Sequence, residues 1–269
     1  MGLYIGKLDS FAKQTELMNT KVIYTCLVGG YDELRQPLAI DESFDYVCFT
    51  DHVTAERIGV WQLRPIPFKT RDKVLLSRYA KILPHKVLDD YEYSVYMDAN
   101  VQILTSEFYD YVNREIERGE TMAQVPHLER NCVYQELYEC WHKGMISLLA
   151  DVYLRYKLHR MGMPEDYGLM ENNLICRRHG NPLVKKISEE WWADFRRGIV
   201  RRDQLLLMPV LWKNKFKPDL LFGENRNVRN VSFLEYWMHT VKRKHPSGKS
   251  RLELYLMQIS NGAERRGWI

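Results

Sequence analysis

The segment 93–103, with the sequence YSVYMDANVQI, is an apolar, β-prone run interrupted by an acid and an amide. The valine, tyrosine and methionine before the interruption are typical of a strand buried in a sheet. Asp98 and Asn100 follow, and residues two apart in an extended chain point to the same side. Since Mg2+ and Mn2+ take oxygen ligands and often hold substrate phosphates, we predict a metal–diphosphate site at the carboxyl edge of a central sheet. A simple turn at Asp98-Ala99-Asn100 is the alternative.

Two earlier apolar runs also end in small or polar residues. The run 22–28 ends in Gly29-Gly30, and the run 44–51 ends in Thr50-Asp51. Glycines after a strand let the backbone approach a ligand closely, but the G-x-G-x-x-G dinucleotide fingerprint is absent. Strand and helix patterns alternate through about residue 180, which predicts an α/β fold with a mostly parallel sheet and a site at the carboxyl ends of its strands.

A basic helix is predicted between the second strand and the segment 93–103. Thr70 can cap a helix over 71–83, and Pro84 stops it. Arg71, Arg78 and Lys81 would then lie one or two turns apart. A solvated basic face is one interpretation, and anion binding beside a diphosphate site is the other.

Composition excludes several classes of protein. The net charge of +4 over 269 residues is too small to indicate nucleic-acid binding. The five cysteines form no C-x-x-C pair, which predicts reduced core residues of a cytoplasmic protein. The N-terminal sequence does not read as a secretory signal, and no apolar run approaches the 18 residues of a membrane-spanning helix.

The charge pattern predicts three regions. Residues 1–20 read as a lead-in, 21–224 as a nucleotide-sugar-binding and catalytic domain, and 225–269 as a basic, helical or irregular extension. The extension carries nine Lys or Arg residues against three Glu. This extension could lie on the anionic surface of the inner face of the membrane, or it could hold a lipid-linked phosphorylated acceptor.

Taken together, these motifs are familiar. In order they read VIYTCLVGGYD, FDYVCFTD, RDKVLLSRYAKILPH, YSVYMDANVQI, HLERNCVYQE and RDQ. Over residues 21–212 the chain resembles the glycosyltransferase-like domain of bacterial surface-polysaccharide loci and of plant mucilage- and pectin-related proteins. That family is similar in turn to GT-A glycosyltransferases of the family 8 type. The resemblance implies a Rossmann-like α/β/α sandwich that binds a nucleotide sugar, and a divalent cation (Mn2+ or Mg2+) through a DXD motif.

The resemblance also implies roles for individual residues. The Asp98-Ala99-Asn100 triplet stands where the DXD motif stands, with Asn in place of the second Asp, and His239 is the first choice over His245 for a third metal ligand. Asp51 would lie near the base, and Thr25, Leu27, Gly29 and Tyr31 would contact uridine and ribose. Arg71, Arg78 and Lys81 would lie near the diphosphate or the donor sugar.

The chemistry of sugar transfer requires such groups. Cleavage of a sugar–phosphate bond leaves a diphosphate whose growing charge a cation, Arg or Lys must stabilise. An acceptor hydroxyl must lose a proton, and an inverting enzyme needs a carboxylate base for it. The carboxylates considered are Asp203, Glu171, Glu136 and Glu129.

Asp203-Gln204 resembles the Asp-Gln pair that lines the donor-sugar pocket in family 8-like enzymes, and this resemblance makes Asp203 the first choice for the base. Asp203 could equally be a helix N-cap. His127, Glu129 and Arg130 resemble a loop over the acceptor side, and a surface ion-pair cluster is the alternative.

The predicted function is transfer of a sugar, from a UDP-sugar by preference, to a bacterial surface polysaccharide or lipid-linked glycan. One alternative is a nucleotidyltransferase or hydrolase on the same fold, since a fold does not fix a function. Another is a nucleotide- or glycan-binding module without turnover, which the Asn at position 100 favours.

Overall fold

The computed structural model describes residues 20–239, 253 and 255–257. The predicted lead-in therefore lies outside the described residues except for Thr20, and so does most of the predicted extension beyond residue 239. Ten strands are found in the described part: β1 (Lys21–Leu27), β2 (Phe44–Thr50), β3 (Arg57–Ile58), β4 (Trp61–Pro65), β5 (Tyr93–Met97), β6 (Val101–Ile103), β7 (Met122–Pro126), β8 (Met170–Arg177), β9 (Asp219–Leu220) and β10 (Leu234–Tyr236).

The helices of the described part follow the predicted alternation with strands. A 3-10 turn at Pro84–Lys86 comes between the first helix and β5. The six α-helices are α1 (Lys73–Ile82), α2 (Glu107–Glu117), α3 (Val133–His142), α4 (Leu148–Arg160), α5 (Pro182–Arg196) and α6 (Asp203–Lys213).

Eight strands form one sheet in the order β3-β4-β2-β1-β5-β8-β7-β9. β1 pairs in parallel with β2 and β5, β2 with β4, and β7 with β9. β8 runs antiparallel between β5 and β7, and β3 runs antiparallel to β4. The predicted α/β fold with a mostly parallel central sheet is confirmed.

The sheet is covered on both faces, as its apolar strands require. Successive residues of β1 point to opposite sides, so Tyr24 joins one core and Ile23 the other. The Tyr24 core is closed by α1 and α3–α6, and the Ile23 core by α2 and the chain after β9. The result is the predicted three-layer α/β/α arrangement.

Helix α1 begins later than predicted. Asp72, not Thr70, is its N-cap, and the Asp72 carboxylate accepts hydrogen bonds from the backbone N–H groups of Val74 (3.0 Å) and Leu75 (3.1 Å). A carboxylate at this position satisfies two first-turn amides that lack helical partners. Arg71 precedes the helix and is exposed, which corrects its predicted place at the start of a helix over 71–83.

Residues 225–239, placed by the sequence in the basic extension, pack against the domain. β10 pairs antiparallel with β6, and Phe233 is buried in the core beside α2. Beyond β10, the Trp237 N–H donates to the Asn100 carbonyl (2.8 Å). This pairing returns the chain to the carboxyl edge of β5.

Two expectations from composition concern the described part alone. All five cysteines fall within it, and each is a free thiol. No helix found there has both the length and the apolar character needed to cross a bilayer.

Candidate functional site

Asp98 lies directly after β5, at the carboxyl edge of the parallel strands. Its backbone N–H donates to the Asn173 carbonyl across the antiparallel pair with β8 (2.9 Å). Its Oδ1 atom accepts a hydrogen bond from the Tyr96 hydroxyl (2.6 Å) and another from the Lys81 ammonium (3.3 Å). The Asp98 side chain is 31% exposed. Tyr96 and Lys81 therefore hold the carboxylate in place while part of it stays accessible to a ligand from solvent.

A chain of ion pairs leads from Asp98 into the protein. The Lys81 ammonium lies between Asp98 and Asp203, 3.0 Å from Asp203 Oδ2, and the residue is only 2% exposed. Arg78, one turn earlier on α1, places its Nε 3.3 Å from Asp203 Oδ1. The structure thus brings together four residues that the sequence singled out separately: Asp98, Lys81, Asp203 and Arg78.

The electrostatics of these ion pairs fix the protonation states of Asp203 and Arg78. Burial alone would raise the pKa of Asp203, but the charges of Arg78 and Lys81 outweigh it and hold that pKa well below its usual range. Burial likewise would lower the pKa of Arg78, and the Asp203 charge raises it instead. Asp203 is therefore a permanent anion between two cations, which suits it to orient them rather than to accept a proton.

Asn100 is buried, and β10 brings His239 towards it. The Asn100 Nδ2 donates to the Trp237 carbonyl (2.8 Å), while its buried Oδ1 has no hydrogen-bond partner. Two residues beyond Trp237, the His239 Nδ1 lies 3.0 Å from the Asp32 carboxylate, and its ring packs on Tyr31 with centroids 4.9 Å apart. Ala99 is buried. Asp98, Ala99 and Asn100 form a turn in which the Val101 N–H donates to the Asp98 carbonyl (2.9 Å), so the turn alternative is confirmed and the predicted extended spacing of Asp98 and Asn100 is wrong.

The predicted metal ligands provide a suitable donor set without forming a ready-made site. Asp98 contributes a carboxylate, Asn100 an unpartnered amide oxygen and His239 the ring nitrogen that Asp32 does not hold. Oxygen donors with one imidazole suit a hard divalent cation. Across the described residues, no three His, Cys, Asp or Glu side chains are grouped so that they could hold a metal.

The ends of β1 and β2 form the neighbouring part of the edge. The Gly29 N–H donates to Asp51 Oδ1 (3.0 Å), and Gly29 adopts φ +71°, a conformation that favours glycine. Asp51 also pairs with Lys73. Burial alone would raise the pKa of Asp51, but the contacts with Lys73 and Gly29 outweigh burial and lower that pKa below its usual value. Thr25 is buried with no partner for its hydroxyl, and Leu27 is half-buried.

The start of β8 carries polar side chains that the sequence did not single out, except for Glu171. The Glu171 carboxylate accepts from Asn173 Nδ2 (2.7 Å) and pairs with Arg229. Asn172 Oδ1 accepts a hydrogen bond from Gln124 Nε2 (3.0 Å). The pairing register of β7 and β8 shifts there, between Gln124 and Val125. Such irregularities are common beside active sites. The signal in the sequence was a pair of amides next to the apolar residues of this strand. Buried amides are costly unless they are hydrogen-bonded or bind a ligand.

The two remaining groups of predicted residues lie next to the same edge. Arg202 is the N-cap of α6 and Asp203 its first residue, so the N-cap alternative for Asp203 is wrong. Gln204 Nε2 donates to the Met170 carbonyl at the start of β8 (3.0 Å).

The His127 loop forms an ion-pair cluster. Arg130 Nε donates to the buried Glu136 carboxylate (2.7 Å), and Nη1 donates to Glu129 (3.1 Å). The His127 Nδ1 accepts from the backbone N–H groups of Glu129 and Arg130, and burial lowers the His127 pKa.

Three comparisons bear on what this chain is. The model of the TOD1/MUCI70 glycosyltransferase-like domain matches residues 6–222, well over half of the chain. Among solved structures, mouse xyloside xylosyltransferase 1 in its apo form is similar at 8% identity and a TM-score of 0.42, covering 74% of this chain and 83% of that one. The comparison with curated proteins finds no match. On the family match, this chain belongs to the TOD1/MUCI70 glycosyltransferase-like domain family.

Proposed function

We propose that this protein is a glycosyltransferase that moves a sugar from a nucleotide sugar, UDP-sugar by preference, to a polysaccharide or lipid-linked glycan. One observation carries the proposal. Two cations, the buried Lys81 and the partly buried Arg78, are held by Asp203 directly beside the partly exposed Asp98 at the carboxyl edge of the sheet. A diphosphate placed there would meet fixed positive charge, and such charge acts more strongly in a partly buried site than in bulk water.

The reaction breaks the bond between the sugar carbon and the diphosphate oxygen and joins that carbon to an acceptor oxygen. The proton of the acceptor hydroxyl would pass to a carboxylate base, with Glu171 as the candidate, or to the leaving diphosphate. The diphosphate gains negative charge as it leaves, and Arg78 and Lys81 would stabilise that charge. A bound Mn2+ or Mg2+ would add to this stabilisation, with Asp98, Asn100 and His239 as its ligands. Gln204 and Glu171, near the start of β8, would border the donor sugar.

The predicted nucleotide and acceptor sides are also proposals. The ends of β1 and β2, with Gly29 and Asp51, would face the nucleoside. His127 and Arg130 would border the acceptor, next to β8, because the His127 N–H donates to the Leu169 carbonyl. The basic residues of 240–269 lie outside the described residues and would contact an anionic acceptor or membrane surface.

Thermal unfolding with UDP, GDP, CDP and ADP, each with and without Mn2+, tests the function. A ligand that binds only the folded protein stabilises it by about 2.7 kcal/mol at a concentration 100-fold above its Kd. We expect UDP to raise the midpoint most, and more strongly with Mn2+. A shift without Mn2+ dependence would assign the diphosphate to Arg78 and Lys81 alone, and no shift with any nucleotide would contradict the proposal.

Replacement of Arg78 by glutamine tests the cationic helix. We expect Arg78→Gln to weaken UDP binding by about 1.5–3 kcal/mol, since a charge-assisted hydrogen bond to phosphate is lost. The measurement is isothermal titration calorimetry well below the unfolding midpoint, because Arg78 also pairs with Asp203. The control is Arg197→Gln, which removes an exposed guanidinium paired with Asp194 on the α5 side. Equal UDP affinities for the two variants would mean that Arg78 serves only the fold.

A further inference from the structure

Arg177, the last residue of β8, is a buried cation with no carboxylate partner in the described part of the chain. It is 1% exposed, and the described residues contain no ion pair to it. Its Nε and Nη1 atoms also lack hydrogen-bond partners. A buried charge of this kind is costly, and an apolar side chain of similar volume would often be at least as stable. Its presence therefore calls for an explanation other than packing.

The side-chain hydrogen bonds of Arg177 reach the last turn of α1, one directly and one through Tyr24 on β1. Its Nη2 donates to the Lys81 carbonyl (2.7 Å) and to the Tyr24 hydroxyl (2.5 Å). The Tyr24 hydroxyl in turn lies 3.3 Å from the carbonyl oxygens of Ala80 and Lys81. Carbonyls in the last turn of a helix have no helical partners, and the helix C-terminus favours a cation. The guanidinium charge is thus offset by a helix end instead of by an acid.

Lys81 is held at both of its ends by this arrangement. Its carbonyl is fixed by Arg177, and its ammonium lies between Asp98 (3.3 Å) and Asp203 (3.0 Å). A small rotation or shift of the last turn of α1 would move the ammonium away from one of the two carboxylates. β8, which carries Arg177, also supplies the Asn173 carbonyl that holds the Asp98 backbone.

We propose that Arg177 is a positioning residue that fixes the last turn of α1 and so keeps the Lys81 ammonium between Asp98 and Asp203. It touches no substrate itself and acts through Lys81. The link to catalysis rests on the proposed function, in which Lys81 faces a diphosphate. The link between Arg177 and Lys81 does not, so the two can be tested apart.

The first test reads Lys81 directly. Acetic anhydride labelling of the folded protein, followed by mass spectrometry, reports how accessible each lysine is. We expect Arg177→Met to raise the labelling of Lys81 several-fold, because the last turn of α1 is no longer held. The unfolding midpoint should change little, because the cost of burying a charge without a carboxylate partner is removed together with the hydrogen bonds of Arg177. Lys86, which is 41% exposed on its side chain and follows the same helix, is the internal control and should label equally in both proteins. Unchanged Lys81 labelling would overturn the proposal whether or not the protein binds UDP.

The second test is a double-mutant cycle on UDP affinity. A positioning role predicts that Arg177→Met weakens UDP binding about tenfold in the wild-type background and has no further effect once Lys81→Met is present. Equal effects in both backgrounds would overturn the proposal, since a purely structural role would be independent of Lys81. If wild type binds no UDP, the proposed function fails and the labelling result alone decides.

Tyr24→Phe keeps the test decisive if Arg177→Met does not fold. This substitution removes only the hydroxyl through which Arg177 contacts the α1 carbonyls indirectly. We expect the same direction of change in Lys81 labelling, smaller than for Arg177→Met because the direct Arg177 contact remains. No change in that variant would overturn the proposal.

Discussion

Asp98→Asn should lower turnover by at least about 10²–10³-fold while the protein remains folded. The change keeps the size of the side chain and removes its charge. The amide would no longer attract the Lys81 ammonium and would be a far weaker ligand for a divalent cation. The fold should survive because the Asp98 side chain is partly exposed and its backbone hydrogen bond to Asn173 does not involve the carboxylate.

The measurement is release of UDP from a panel of UDP-sugars, with and without glycan acceptors. Asp90→Asn is the matched control, since Asp90 is exposed in the turn before β5. It should keep wild-type turnover. The loss of a transition-state contact should lower turnover by far more than tenfold. If Asp98→Asn keeps more than about a tenth of the wild-type turnover, the site assignment is wrong.

Asp203→Asn should destabilise the protein by about 3–5 kcal/mol, the cost of removing one partner from a buried ion pair. The buried Lys81 and the partly buried Arg78 would then have only Asp98 to offset their charges. Urea unfolding of the two proteins at pH 7 measures the difference. Glu139→Gln is the control, because the exposed Glu139–Lys143 pair on α3 should contribute less than about 1 kcal/mol.

The pairing of Asp203 with Arg78 and Lys81 also predicts that the stability of the protein depends on pH. Because the folded-state pKa of Asp203 lies well below its ordinary value of 3.8, its stabilising contribution is complete above that value. The contribution is lost as the pH falls from 3.8 towards the folded-state pKa. Wild type should therefore lose stability in acid more steeply than Asp203→Asn, measured as the free energy of unfolding from pH 7 to pH 2.5. Parallel curves for the two proteins would contradict the ion pairing.

Local pattern in the sequence was enough to predict the architecture. Apolar runs with polar ends predicted β1, β2 and β5, and the alternation with helices predicted a mostly parallel sheet. The prediction that Asp98 follows a buried strand is confirmed as well. These features depend on hydrophobic periodicity and on residues within a few positions of one another, and the sequence displays both directly.

Errors arose where two local signals competed or where a signal was overlooked. Thr70 and Asp72 are both good helix caps, and the Asp72 carboxylate reaches two first-turn amides, so α1 excludes Arg71. Asn172 and Asn173 lie in a strand that is buried throughout, where amides are costly unless they are paired or used, and this signal was overlooked.

The sequence by itself determined the strands, the edge at which a site could form, and the chemical types of its residues. Only the tertiary structure decided which charges meet: Asp203 on α6 reaches Lys81 on α1, and Arg177 on antiparallel β8 reaches the end of the same helix. It also placed His239 beside the β5 edge through the pairing of β10 with β6. Local periodicity encodes which face of an element is buried, whereas the partner across that face depends on the packing of elements distant in the chain.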